Sequence, residues 1–130
     1  MSYRLFISHA WQYSSDYYNM ERLLNDYPYF NWVNYSVPKH DSFPAGTNLS
    51  EALKNQIRPV NAVIIIAGMY AVYREWVEFE VKFAKSIRKP IIVVRPWGQE
   101  RIPQYLQENA TIVVGWNASS IVTAVREYSI

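Results

Sequence analysis

The stretch AVIIIAGMYAVYREWVEFEVKFAKSIRKPIIVV, Ala62 to Val94, decides the fold. It opens on AVIIIA, Ala62 to Ala67, β-branched and apolar on both faces, which is how a central parallel strand reads. It closes on a second such run, IIVVR, Ile91 to Arg95. Between the two, the apolar residues recur at helical spacing from about Tyr73 to Arg88, and Pro90 marks the exit. A strand, a helix and a strand in succession form a parallel crossover unit.

That helix carries a chemical question. Within EWVEFEVKFAKSI, Glu75 to Ile87, three glutamates fall within six positions. Wound at 3.6 residues per turn, Glu75, Glu78, Lys82, Lys85 and Ser86 share one side, while Tyr73, Trp76, Val77, Phe83, Ala84 and Ile87 share the other. Glu80 falls in the middle of the apolar side. Burying an unpaired carboxylate costs several kcal/mol or forces it to take up a proton, so its place there needs a reason.

Outward from this unit the alternation continues. Tyr3 to Ser8 reads as a first strand, and Ser14 or Ser15 caps a helix whose core side carries Tyr17, Met20, Leu23 and Leu24. Asn31 to Tyr35 is a weaker second strand. An irregular stretch, SVPKHDSFPAGTN from Ser36 to Asn48, leads to a helix over Leu49 to Ile57 that Pro59 ends. After the fourth strand come a short helix over Pro103 to Glu108, a fifth strand over Thr111 to Val114 and a closing helix over Ala118 to Tyr128. The pattern predicts an α/β fold: an open five-stranded parallel sheet covered by helices on both faces, built as one domain over residues 1–130.

Open parallel sheets bind ligands at the carboxyl ends of their strands, near the point where strand order reverses. Three segments meet there: His9 to Trp11, Ser36 to Asn48, and Gly68 to Tyr73. Glu80 lies about two turns into the helix leaving the third, near enough to lean back toward the crevice. Two readings stand for it: a functional carboxylate, or a structural one paired with an arginine such as Arg95 or held by backbone donors. Trp76, one turn earlier, is core packing or the edge of a pocket. The loop over Ser36 to Asn48 is a binding loop or a surface segment.

Composition narrows the classes. Half of the 130 residues are hydrophobic and 16% are aromatic, which excludes a disordered chain. The net charge of +2 arises from 13 basic and 11 acidic residues spread along the chain, so no basic stripe points to nucleic acid. MSYRLFISHAW lacks the features of a signal peptide, no apolar run is long enough for a membrane span, and a cytoplasmic protein is expected. Without cysteine, thiol catalysis, disulfides and cysteine metal sites are excluded. His9 and His40 have no metal-site spacing, and no metal is expected. Ser8 and His9, adjacent on a strand, point to opposite faces and do not form a catalytic pair. No glycine-rich phosphate loop follows the first strand, which argues against a Rossmann dehydrogenase, although a phosphate could approach the helix start near Ser14 to Asp16. A phosphoryl-accepting receiver would need an acidic cluster after the first strand and an aspartate ending the third, where the chain has SHAW and IAGMY.

FISHAW at the first strand, the loop NYSVPKHDSFPAG, the strand AVIIIAG, and W-V-E-F-E followed by KFAKSIRKPIIVV together resemble a TIR-like domain. The resemblance is to the short bacterial type exemplified by the ThsB component of the Thoeris antiphage system. It covers nearly the whole chain, and W-x-x-x-E, Trp76 to Glu80, is its most specific piece. It implies a flavodoxin-like three-layer α/β/α sandwich with the five parallel strands ordered 2-1-3-4-5, and that Glu80 is the catalytic carboxylate of an NAD⁺ hydrolase or cyclase. Such an enzyme splits nicotinamide from ribose and makes an ADP-ribose signal, linear or cyclic, that acts on a partner effector. NAD⁺ is then the substrate, and no cofactor is expected.

On that basis Phe6, Trp11 and Trp76 are candidate walls for an aromatic ring, and Ser8, His9 and Asp41 candidate hydrogen-bonding groups for sugar or phosphate. The loop beginning at Ser36 is expected to complete the site of a neighbouring protomer in an oligomer or filament. The departures from the usual TIR pattern are Arg74 and Val77, where serine and cysteine are common; Arg74 leaves the helix start without that capping residue. Two rivals stay open. One is a TIR-like interaction module without turnover, and the other is a nucleoside deoxyribosyltransferase-like enzyme, which also uses a glutamate on a glycosidic bond.

Overall fold

A computed structural model describes residues 2–9, 15–36, 49–95 and 101–130. Five strands form one parallel sheet: β1 (Tyr3–Ile7), β2 (Trp32–Asn34), β3 (Ala62–Ile66), β4 (Ile91–Val94) and β5 (Ile112–Val114). Their order is β2-β1-β3-β4-β5, as expected. The helices are α1 (Ser15–Asp26), α2 (Leu49–Ile57), α3 (Arg74–Ser86), α4 (Gln104–Asn109) and α5 (Ala118–Tyr128). A single 3₁₀ turn, Ala67–Met69, inserts between β3 and α3 where a plain loop was expected.

The sheet separates two apolar layers by strand alternation. Leu5, Ile7, Ile64, Ile66, Ile92 and Val94 pack with Tyr17, Met20 and Leu24 of α1 and with Ile121, Val122 and Val125 of α5. Phe6, Val63, Ile65 and Val93 face the other way, onto Leu53 and Ile57 of α2, Val77, Val81 and Ala84 of α3, and Leu106 of α4. β3 and β4 are buried at every position, so both of their faces demand apolar residues. At the sheet margins, β2 and β5 are only partly buried.

α3 begins without a side-chain cap, in keeping with Arg74 at its first position. Its first turn is held instead by Arg74 Nε on Glu78 at 3.1 Å and by the Tyr70 hydroxyl, which donates to Glu78 Oε2 at 2.5 Å. It ends with Arg88 in the left-handed region, φ 61°, while Lys89 N–H donates to Ala84 O at 2.9 Å. That is a C-terminal cap of the kind glycine usually makes. Among the described residues, no helix is long and apolar enough to cross a membrane.

Candidate active site

Five polar or charged side chains are buried among the described residues: Ser8, His9, Ser36, Asn61 and Glu80. A buried polar group needs a partner, so each asks for an explanation. Asn61 has a structural one at the amino end of the sheet. Its side chain accepts from Arg4 N–H at 2.7 Å and donates to Ile130 O at 2.6 Å, tying β1 to the last residue of the chain. The other four gather toward the carboxyl ends of β1, β2 and β3, the ligand-binding edge of such a sheet.

Glu80 stands at the centre of this group. It is fully buried on α3 beside Val77, Val81 and Ala84, in the middle of the apolar face. Helical side chains lean toward the helix amino terminus, here the carboxyl edge of the sheet. There the Ser8 hydroxyl meets Glu80 Oε1 at 2.5 Å. Ser8 follows the last residue of β1 and is itself held by its N–H on Ile64 O at 2.9 Å. Glu80 Oε2 has no hydrogen-bond partner among the described residues. Neither of the ion pairs found there, Arg58–Glu51 and Arg74–Glu78, involves Glu80. Arg95, the structural partner considered from sequence, is exposed. Burial pushes the Glu80 carboxyl up to about 8, and the Ser8 hydrogen bond opposes part of that rise.

His9 is also fully buried, with its ring 5.7 Å from Phe6 and 5.8 Å from Tyr17. Burial lowers it to about 4, opposed by the Gln56 side chain. Both shifts favour the neutral forms, a protonated acid and an unprotonated imidazole. On the other side of His9 lies a hydrogen-bonded cluster. Ser36 Oγ is 3.1 Å from the Tyr17 hydroxyl, and Ser36 N–H donates to Asn34 Oδ1 at 2.9 Å. Asn34 Nδ2 donates to the Tyr17 hydroxyl at 2.8 Å and to Glu21 Oε2 at 2.9 Å. A polar layer thus runs across the sheet edge from Glu80 through Ser8 and His9 to Tyr17, Ser36 and Asn34.

The residues expected at the site fall into four groups. Ser8, His9, Ser36 and Glu80 belong to this layer. Phe6 lies beneath it in the core, fully buried, with its ring toward His9. Trp76 is partly buried, one turn before Glu80, and lines a cleft of about 300 Å³ between α2 and α3 with Ser50, Leu53, Glu75 and Phe79. Glu80 itself lines none of the described cavities. A larger hollow of about 670 Å³, lined by Arg101, Ile102, Gln104, Gln107 and Glu108, takes in none of the expected residues. Trp11 and Asp41 lie outside the described residues.

Tyr17, Asn34 and Gln56 were not singled out from sequence. Tyr17 sits in the apolar stripe of α1 and reads as core, which it is. The signal available was its hydroxyl, since a buried tyrosine usually finds a polar partner. Among the described residues, no group of three or more histidine, aspartate or glutamate side chains converges as a metal site would require.

Residues 6–101 match the family model described as the TIR-like domain of the Thoeris protein ThsB. That span holds every expected site residue, from Phe6 to Glu80. The comparison with curated proteins found no match.

Proposed function

The chain belongs to the TIR-like domain family of the Thoeris antiphage protein ThsB, and from that premise we propose that it cleaves NAD⁺ between nicotinamide and ribose, with Glu80 as the catalytic carboxylate. One observation carries this reading. An acid is kept in an apolar helix face, beneath the ligand-binding edge of the sheet, with a serine hydroxyl beside it and no ion-pair partner among the described residues. A structural carboxylate in that place would be expected to hold an arginine or several backbone donors.

The chemistry suits a single carboxyl group. The C1′–N1 bond breaks with its electron pair going to the ring nitrogen, so the leaving nicotinamide becomes neutral and needs no general acid. Positive charge develops on the ribose C1′ and ring oxygen, as at other glycosidic centres. An ionised Glu80 stabilises that charge. Water adding to C1′ and losing a proton yields ADP-ribose, whereas attack by a nucleophile of the same ADP-ribose yields a cyclic isomer. Glu80 rests protonated, and a cationic nicotinamide ring within about 4–6 Å favours its ionisation, so the substrate itself promotes the active form.

Catalysis also requires the carboxyl to be uncovered, because Glu80 is closed off in the described state. This accords with a site completed by a neighbouring protomer, and self-association belongs to the proposal together with a downstream effector that reads the nucleotide product. The enclosure equally favours the rival reading of an interaction module without turnover. Incubating the assembled protein with NAD⁺ and separating the products by chromatography decides between them. Released nicotinamide, abolished in Glu80→Gln, supports the enzyme. NAD⁺ left intact under conditions where the protein assembles, including extract of infected cells, supports the module.

A further inference from the structure

The Glu80 carboxyl has two unlike oxygens. Oε1 is 2.5 Å from the Ser8 hydroxyl, whereas Oε2 is buried with no hydrogen-bond partner among the described residues. Ser8 is fully buried, and its backbone N–H is held by Ile64 O, so the hydroxyl approaches Glu80 from a fixed point at the junction of β1 and β3. A serine enclosed in this way and already hydrogen-bonded to a carboxyl is poorly placed to bind sugar as well. We propose that Ser8 is a positioning residue for Glu80: its hydroxyl holds Oε1, fixes the carboxyl plane and leaves Oε2 as the oxygen that meets the developing charge on the substrate.

The inference rests on the reading of Glu80 as the catalytic group, and it gives Ser8 a role apart from substrate contact. Support comes from the surroundings of the carboxyl. Of the elements packed around it, α2 carries Glu51 and Lys54, β1 carries Tyr3 and Arg4 with His9 beyond its end, and β3 and β4 carry no ionisable side chain. Lys54 Nζ lies over the Phe79 and Phe83 rings at 5.9 and 5.5 Å, Glu51 pairs with Arg58, and Arg4 Nε donates to Pro59 O. On α3 itself, Glu78 is tied to Arg74 and Tyr70, while Glu75, Lys82 and Lys85 occupy exposed positions. None of these perturbs the carboxyl. Burial raises it, and among the described residues the Ser8 hydrogen bond is the one opposing influence. Ser8 is thus the side chain through which the fold favours the ionised form, since a hydroxyl donates more strongly to a carboxylate than to a carboxylic acid.

The test is a carboxyl titration by ¹³C NMR on protein labelled at the glutamate side-chain carboxyl carbon, with the signal assigned by its loss in Glu80→Gln. The wild-type midpoint is expected near 8. Ser8→Ala is expected to move it up by about one pH unit, and Ser8→Thr, which keeps the hydroxyl, to return it to within about 0.3 units of wild type. A merely structural role for Ser8 would lower the melting temperature and leave the midpoint in place. An unchanged midpoint in folded Ser8→Ala overturns the inference, as does an equal shift in Ser8→Ala and Ser8→Thr. Should Ser8→Ala fail to fold, Ser8→Cys takes its place, with a smaller upward shift expected and an unchanged midpoint again refuting. Nicotinamide release is followed separately. If it is absent in wild type while the midpoint responds to Ser8, the proposed reaction fails and the Ser8–Glu80 coupling stands; if it is present while the midpoint ignores Ser8, the coupling fails and the reaction stands.

Discussion

Replacing Glu80 by glutamine is expected to stabilise the protein, and to do so more at higher pH. The carboxyl titrates at an ordinary 4.5 when exposed and near 8 in the fold. As pH rises above 4.5 the unfolded chain releases this proton and the folded chain keeps it, so the folded state loses stability until pH passes the folded value. The loss is about 1 kcal/mol at pH 5 and about 4 kcal/mol at pH 7.5, at 1.36 kcal/mol per pH unit. Glutamine keeps the shape and carries no proton to lose. Any fixed cost of its amide in place of the carboxyl is the same at both pH values, so the gap between variant and wild type should widen by roughly 3 kcal/mol from pH 5 to pH 7.5. In a domain of this size that corresponds to roughly 10 °C in melting temperature. Urea unfolding followed by tryptophan fluorescence at half-unit pH steps measures it, and the five tryptophans provide the signal. A gap that stays constant across that range, or narrows, would refute the claim that burial keeps Glu80 a neutral acid in the fold.

His9 predicts the opposite slope. Its folded value near 4 lies below the ordinary 6.5, so the unfolded chain takes up a proton as pH falls and the folded state loses about 3 kcal/mol between pH 6.5 and 4. His9→Gln should flatten that acid limb in the same urea series, and an unaltered limb would show that His9 is not held neutral. Between pH 4.5 and 6.5 the two slopes cancel, so these groups together leave a plateau there with a decline above it. Arg88→Gly should raise stability by about 0.5–1 kcal/mol, because Arg88 ends α3 at φ 61°, where glycine meets no steric cost. A lowered urea midpoint for that variant would show that the arginine side chain contributes more than its backbone geometry costs.

Most of the fold was legible because the strongest signals were also the most buried. AVIII and IIVV admit no polar face and could only be central strands, and the bounds expected for α2 and α5 match the structure. The strand order came with the family resemblance, since crossover geometry makes the sheet parallel without fixing which strands are neighbours. What stayed hidden depended on backbone conformations the local residues do not advertise: the 3₁₀ turn at Ala67–Met69, and the left-handed positions at Tyr29 and Arg88, neither of them glycine. At the site, the odd place of Glu80 on its helix was visible, since helical spacing alone puts it among apolar neighbours. Its partner was not. Ser8 lies 72 positions away, and only the pairing of β1 with β3 brings that hydroxyl to the carboxyl. The same holds for Tyr17, which reads as core by period and meets Ser36 only because β2 lies beside β1.

The neutrality of the polar layer bears on what sort of ligand it serves. A preformed carboxylate would bind any cation, and an arginine beside it would hold it ionised at all times at the cost of its interaction with anything else. Glu80 is instead kept protonated by burial, so a neutral ligand gains only a hydrogen bond from it, whereas a cation of the right shape makes ionisation favourable by its own approach. On the reading proposed above, nicotinamide carries that charge only while it remains attached to ribose. During cleavage the positive charge passes to the sugar, where an ionised carboxyl gives the most stabilisation, and it disappears when the product forms. Glu80 then returns to its protonated state. Burial of the acid, which costs the fold stability above pH 4.5, is thus the same feature that would tie its charge to the reaction coordinate.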